Sequence, residues 1–192
     1  MTKKSVASRV YFSTAMKRSI LRWELIGIAV ISIAGSLLHF VFEWSGGLAP
    51  VGVIAAVNES VWEHFKLAFW PTLIYAIVEY PFLRHSAKNF ILAKAVGILV
   101  MPLVIGVVFY AYTAIAGEEI LLVDILLFFV AVALGQLASY KVMTMKRLPG
   151  WTGGVGLVMV ILLAVAFIIF TFYPPHLGIF RDAVSGGYGI PP

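Results

Sequence analysis

The 192 residues include no cysteine, and only 12% of them are charged. The first absence excludes disulfides, thiolate metal sites and cysteine nucleophiles, so any metal here must be held by nitrogen and oxygen. The second excludes an ordinary soluble domain, in which roughly a quarter of the residues carry charge. A glycine-rich phosphate loop, a G-x-S-x-G nucleophile turn and an H-E-x-x-H helix are also missing, which leaves no ready-made nucleotide, serine-hydrolase or zinc-protease motif. The chain is instead 61% hydrophobic, in long uncharged runs, with a mean hydropathy of +1.00. Hydrocarbon selects this pattern, because an ionised side chain at the bilayer centre costs about 2.5–3.5 kcal/mol on insertion scales.

The expected fold is all-α: an integral membrane helical bundle of about five transmembrane helices, forming one domain over residues 1–192. A span needs about 20 apolar residues. Residues 1–23 carry six basic groups, with Phe12, Met16, Ile20 and Trp23 recurring every three or four positions, the pattern of a basic amphipathic helix on the cytoplasmic leaflet. Residues 24–173 form the bundle, with spans over Leu25–Trp44, Leu67–Leu83, Phe90–Ala116, Ile120–Met143 and about Thr152–Tyr173. Between the first two, Leu48–Val57 contains Pro50 and Gly52 and is too short to cross, so it reads as a re-entrant or interfacial segment. Asn58 is the expected N-cap of the second span. Pro71 and Pro102 should bend their helices. Gly150, Gly153, Gly154 and Gly156 should allow close helix approach at the start of the fifth. The Gly- and Pro-rich residues 174–192 form a tail.

Charge placement sets the expected topology. With the N-terminus cytoplasmic, twelve of the 14 Lys and Arg fall inside and only Lys66 and Arg181 outside. Five spans then put the C-terminus and the 44–66 segment together on the extracytoplasmic side of the cell membrane. The net charge of +5 lies beside apolar segments and not in an aromatic-interleaved soluble patch, so nucleic acid is not an expected partner. Membrane lipid is, and the sequence names no oligomeric partner.

Polar residues collect on that outer side. His39 and Glu43 are four apart and share a helix face, as do Glu59 and Glu63; His64 adjoins them, and His176 follows the last span. These imidazoles and carboxylates suit a divalent metal such as zinc. The expected metal ligands are His39, Glu43, His64 and His176, with Glu59 as an alternative carboxylate. Glu63 and Glu59 are the catalytic candidates, Glu63 activating a metal-bound water. Asn58, Trp62, Arg181, Asp182 and Tyr188 are the expected substrate contacts, Arg181 holding an anionic head group. Plainer readings fit the same residues. Glu59 and Glu63 can be a solvated face paired with Lys66, His39 can bond a carbonyl or Glu43, and His176 can be a loop residue. Lys94 should snorkel to the inner interface.

The stretch Asn58-Glu59-Ser60-Val61-Trp62-Glu63-His64, with the ending Pro174-Pro175-His176, Phe180-Arg181-Asp182 and Tyr188-Gly189-Ile190, resembles a family of small uncharacterised prokaryotic multi-pass membrane proteins, known only as a domain of unknown function. The resemblance covers nearly the whole chain. It implies no activity, but it implies that the outer loop and the tail belong to one site. The leading expectation is a metal-dependent hydrolase of a lipid or lipid-linked substrate. A small ion or solute transporter or channel subunit, using Asp124, Gln136 and Glu79 as a path, and a non-catalytic membrane scaffold are the alternatives.

Overall fold

In hydrocarbon every backbone N–H and C=O must find its partner within the chain, and helices meet that condition locally. The computed structural model describes residues 3–190, with side chains from residue 14. Five long helices make up the bundle: α1 (Lys3–Trp44), α2 (Val61–Leu83), α3 (Phe90–Ala116), α4 (Leu121–Thr144) and α5 (Trp151–Phe172). Single 3-10 turns lie at Val51–Val53 and Gly178–Phe180, and among the described residues no strand forms. The expected boundary at residues 23/24 carries no break, because α1 runs through it as one 42-residue helix. Nor do Pro71, Pro81 and Pro102 end the helices that contain them.

Among the described residues, four helices are long and apolar enough to cross a membrane: α1 from residue 14, α3, α4 and α5. Their outward faces are apolar, with Ile33, Leu103, Val107, Leu121 and Leu162 all exposed, as surfaces that meet acyl chains should be. The chain is a multi-pass membrane protein. The remaining helix, α2, has 23 residues and carries Glu63, Lys66 and Glu79, all buried. It packs between α1 and α3, and more than half of its residues are buried, against three in α5. Packed between neighbours, α2 turns these three charged side chains to protein partners and leaves apolar residues such as Ile74, Ile77 and Phe82 exposed. Phe65, Phe69 and Tyr75 of α2 meet Ile31 of α1, Ile98, Met101 and Ile105 of α3, Val132 of α4 and Phe167 of α5 in the main core.

Helices α3 and α4 approach most closely where two glycines face each other. A Cβ on Gly135 would lie 2.8 Å from the Gly97 carbonyl oxygen and 2.5 Å from Met101, and one on Gly97 would lie 2.9 Å from the Gly135 oxygen. Backbone cannot yield as a side-chain tip does, so Gly135→Ala should cost about 1–3 kcal/mol through overpacking. Unfolding of the purified protein in detergent measures it, with Gly154→Ala as the control, since nothing lies within 4 Å of that position. Of the four glycines expected to bring α5 close, only Gly156 does so tightly, with its Cβ site 3.0 Å from the Leu92 Cα.

Short connections make neighbouring helices antiparallel. Residues 84–89 and 145–150 lie at one end of the bundle, where the buried Asn89 amide donates to the Val142 and Lys146 carbonyls and accepts from the Leu148 amide. Residues 45–60 and the tail meet at the other end. The N-cap of α2 is Ser60 and not Asn58: its hydroxyl accepts from the Glu63 amide at 3.4 Å. Asn58 lies two residues earlier, where its side-chain oxygen takes the Ser60 amide instead.

Candidate functional site

The local sequence Ser60-Val61-Trp62-Glu63 carries the signature of a capping box, Ser at the N-cap and Glu three residues on. Only the Ser60 half forms, the Glu63 carboxylate turning instead to the Val57 amide and Lys66. That register makes Glu59 the residue before the cap and His64 the fourth residue of the helix, two positions whose side chains face each other across a helix start. His39, in the last turns of α1, approaches from the side. Its Nε2 is 3.3 Å from Glu59 Oε2, and His64 Nε2 is 3.5 Å from the same oxygen. The two imidazoles are 5.4 Å apart between ring centroids, and the ligand atoms of all three residues lie within 4.8 Å of one another. The trio is half-buried.

One hydrogen bond fixes the orientation of His64. Its Nδ1 lies 2.8 Å from the Ser60 carbonyl oxygen, which only accepts, so Nδ1 carries a proton and Nε2 is the free position facing Glu59. A carbonyl behind the imidazole is the arrangement that orients histidine ligands in metal sites. A hydrogen bond from His39 holds the Glu59 carboxyl below the usual range, against the effect of its partial burial. Glu59 is therefore ionised throughout the neutral range, and its stabilising contacts are lost only as pH falls through that lowered value.

The tail closes over this trio. Asp182 accepts from the Glu59 amide at 3.0 Å and from the Val184 and Ser185 amides, and it bonds the Ser185 hydroxyl. Burial alone would raise its carboxyl, but these donors, with Ser185 foremost, bring it below the ordinary value. Asn58 donates to the Gly189 carbonyl at 2.8 Å. Gly189 sits at φ 71°, where L side chains are strained, and a Cβ there would press on Pro174. The resulting open cleft of about 550 Å³ is lined by Glu59, Phe109, Tyr110, Glu119, Arg181 and Asp182, among others. Burial, and then the nearby Asp124, push the Glu119 carboxyl up.

Beneath the trio lies a sealed ion pair. Lys66 donates to the Gly52 carbonyl at 2.7 Å and to the Thr171 hydroxyl at 2.9 Å, and it pairs with Glu63, whose Oε2 accepts from the Val57 amide at 2.9 Å. These bonds tie α2 to the 3-10 turn at Val51–Val53 and to the end of α5. Glu63 is 2% exposed and points inward, so the pairing with Lys66 read from the sequence is present as a core contact and not as a solvated face.

The structure therefore brings together His39, Glu59 and His64, with Asp182 behind them and Arg181 in the same cleft. It does not bring in Glu43, which is exposed near the end of α1, or His176, whose ring lies 4.5 Å from that of Tyr188. Arg181 is exposed, its Nε donating to the Gly186 carbonyl at 3.4 Å, and its backbone forms an isolated bridge with Tyr188. Trp62 packs among Phe65, Phe167, Phe170 and Phe180 and faces the core. Glu119 and Tyr110 line the cleft without having been singled out in the sequence. The signal for Glu119 was its place in the α3–α4 turn, on the same side as the 44–66 segment.

No curated protein and no solved structure matches the chain. Residues 12–190, almost the whole length, match a family of unknown function (DUF6512), and the chain belongs to that family.

Proposed function

We propose that this protein is a zinc-dependent hydrolase that cleaves an ester of a membrane lipid or lipid-linked substrate at the extracytoplasmic face of the cell membrane. The observation that carries the reading is the convergence of His39, Glu59 and His64, with His64 Nε2 turned toward the carboxylate by the Ser60 carbonyl. Two imidazoles and one carboxylate are a catalytic zinc set: three protein ligands, with the fourth position left to water. Zinc brings the pKa of such a water to about 7. Glu63 is engaged by Lys66, so Glu119, across the cleft, is the group assigned to take the water proton and return it to the leaving oxygen. Arg181 then supplies the charge that meets a phosphate or carboxylate head group. The sidedness rests on the sequence placement of the basic residues: twelve of the 14 fall before the first span or within residues 84–94 and 141–147.

Imidazoles must lose their protons to bind metal, whereas Glu59 is already ionised. Zinc should therefore be held at about one ion per chain at mildly alkaline pH and be released on acidification over the range in which the imidazoles take up protons. Competition with a zinc indicator across that range measures it. Protein that retains no zinc, or zinc loss confined to the carboxylate range, overturns the site. Zinc-loaded protein should also release head groups from phosphatidylglycerol vesicles, and a loaded protein that releases none overturns the hydrolase reading while leaving the metal site in place.

A further inference from the structure

A second polar group lies roughly 24 Å from Glu63 along α2, at 1.5 Å per residue. Four helices build it. Glu24 of α1 and Glu79 of α2 are both fully buried and both pair with Lys94 of α3, the first at 2.8 Å. Ser139 of α4 donates to Glu24 Oε1 at 3.2 Å. Lys94 is 4% exposed and does not snorkel to the interface, because two carboxylates hold it inside.

We propose that Glu24, Glu79 and Lys94 form an intramembrane binding site for one proton. The charge count carries the inference. Two carboxylates share one ammonium, and among the described residues no other group facing them is charged. Tyr75 of α2 gives its hydroxyl proton to the Trp23 carbonyl, Ser139 and Gln136 of α4 are neutral, and α5 has no titratable residue. The arginines and lysines toward this end of the bundle, Lys17, Arg18, Arg22, Arg84, Lys88, Lys141, Lys146 and Arg147, are exposed. An unbalanced negative charge sealed among helices in hydrocarbon is strongly disfavoured, and two carboxylates on one site do not both stay ionised. One proton balances the group.

The unfilled hydrogen-bonding capacity points the same way. Glu24 Oε2 and Glu79 Oε2 are buried with no hydrogen-bond partner, as are both amide atoms of Gln136. A protonated carboxyl is a donor as well as an acceptor, and the unpaired carboxylate oxygens and the Gln136 oxygen are buried acceptors with the capacity to receive its O–H. Space for the Gln136 amide is kept by Gly27, one turn from Glu24: a Cβ there would lie 2.2 Å from Gln136 Nε2. The site is separate from the metal trio and stands or falls without it.

Infrared difference spectroscopy of the full chain in lipid nanodiscs tests the assignment at neutral pH. The wild type should show the C=O stretch of one protonated carboxyl per chain. Glu79→Gln and Glu24→Gln should each reduce it to none, since either leaves a balanced pair with Lys94 and a folded protein. Lys94→Met should raise it to two. Folded wild type without such a band overturns the proposal, as does a band that survives both glutamine variants; the wild-type result decides by itself if a variant fails to fold. A band that disappears when sodium chloride replaces choline chloride makes the ligand an alkali cation and overturns the proton assignment.

Discussion

Glu59→Gln is expected to abolish zinc retention in protein that otherwise keeps its helix content. A single oxygen, Glu59 Oε2, stands 3.3 Å from one imidazole nitrogen and 3.5 Å from the other, so it is the hub of the trio. Glutamine keeps the shape but supplies a neutral amide, a poor ligand for zinc beside two neutral imidazoles. The loss should exceed the roughly 10–100-fold that removing an outer partner of a metal ligand costs. Asp182→Ala belongs to that outer class, because Asp182 holds the Glu59 backbone amide, and it should fall within the same range. Glu43→Gln and His176→Ala should leave zinc affinity within about twofold, neither being among the converging residues. Equilibrium competition against a zinc chelator ranks all four. Equal affinity in Glu59→Gln and wild type would remove the site.

Lys66→Met should be the most damaging substitution for stability, at about 3–5 kcal/mol, the cost of leaving one member of a buried pair without its partner. The ammonium has three protons and three acceptors: Glu63, the Gly52 carbonyl and the Thr171 hydroxyl. Methionine fills a similar volume yet strands the Glu63 carboxylate with only the Val57 amide and frees the 3-10 turn at Val51–Val53 from α2. Adding Glu63→Gln to Lys66→Met removes the stranded charge and should recover part of the loss. Thermal unfolding in one detergent compares the single and double variants. A double variant no more stable than the single would show that the lysine's role is its two neutral acceptors and not the pair.

The bundle was legible because hydrocarbon imposes its own code: runs near 20 residues long, basic clusters at alternate connections and polar turns between them. The trio was half legible. Spacing four apart puts His39 with Glu43 and Glu59 with Glu63 on shared faces, but helix-face arithmetic presumes that both members lie within a helix. Glu59 lies outside α2, and the register of the cap, set by Ser60, joins it to His64 instead. The S-x-x-E signature at Ser60-Glu63 held that information, and Asn58 masked it as a rival cap. Glu63 and Lys66 are charged residues at a helix entrance, where water is the ordinary neighbour; that the 45–60 segment would fold over them depends on long-range contacts such as Lys66 with Thr171, which no local pattern encodes. Lys94 illustrates the same point. Its reach to the interface was plausible until Glu24, 70 residues away, proved to be its partner.

The aromatic nest around Trp62 has a practical corollary. Its indole N–H is buried without an acceptor, and the rings of Phe167 and Phe180 stand 4.8 and 4.9 Å away. Phe180 is a tail residue, so one wall of this chromophore's surroundings is present only while residues 173–190 are docked. With the other four tryptophans changed to phenylalanine, the fluorescence of Trp62 becomes an unlabelled optical gauge: blue emission for a seated tail, a red shift when water replaces that wall.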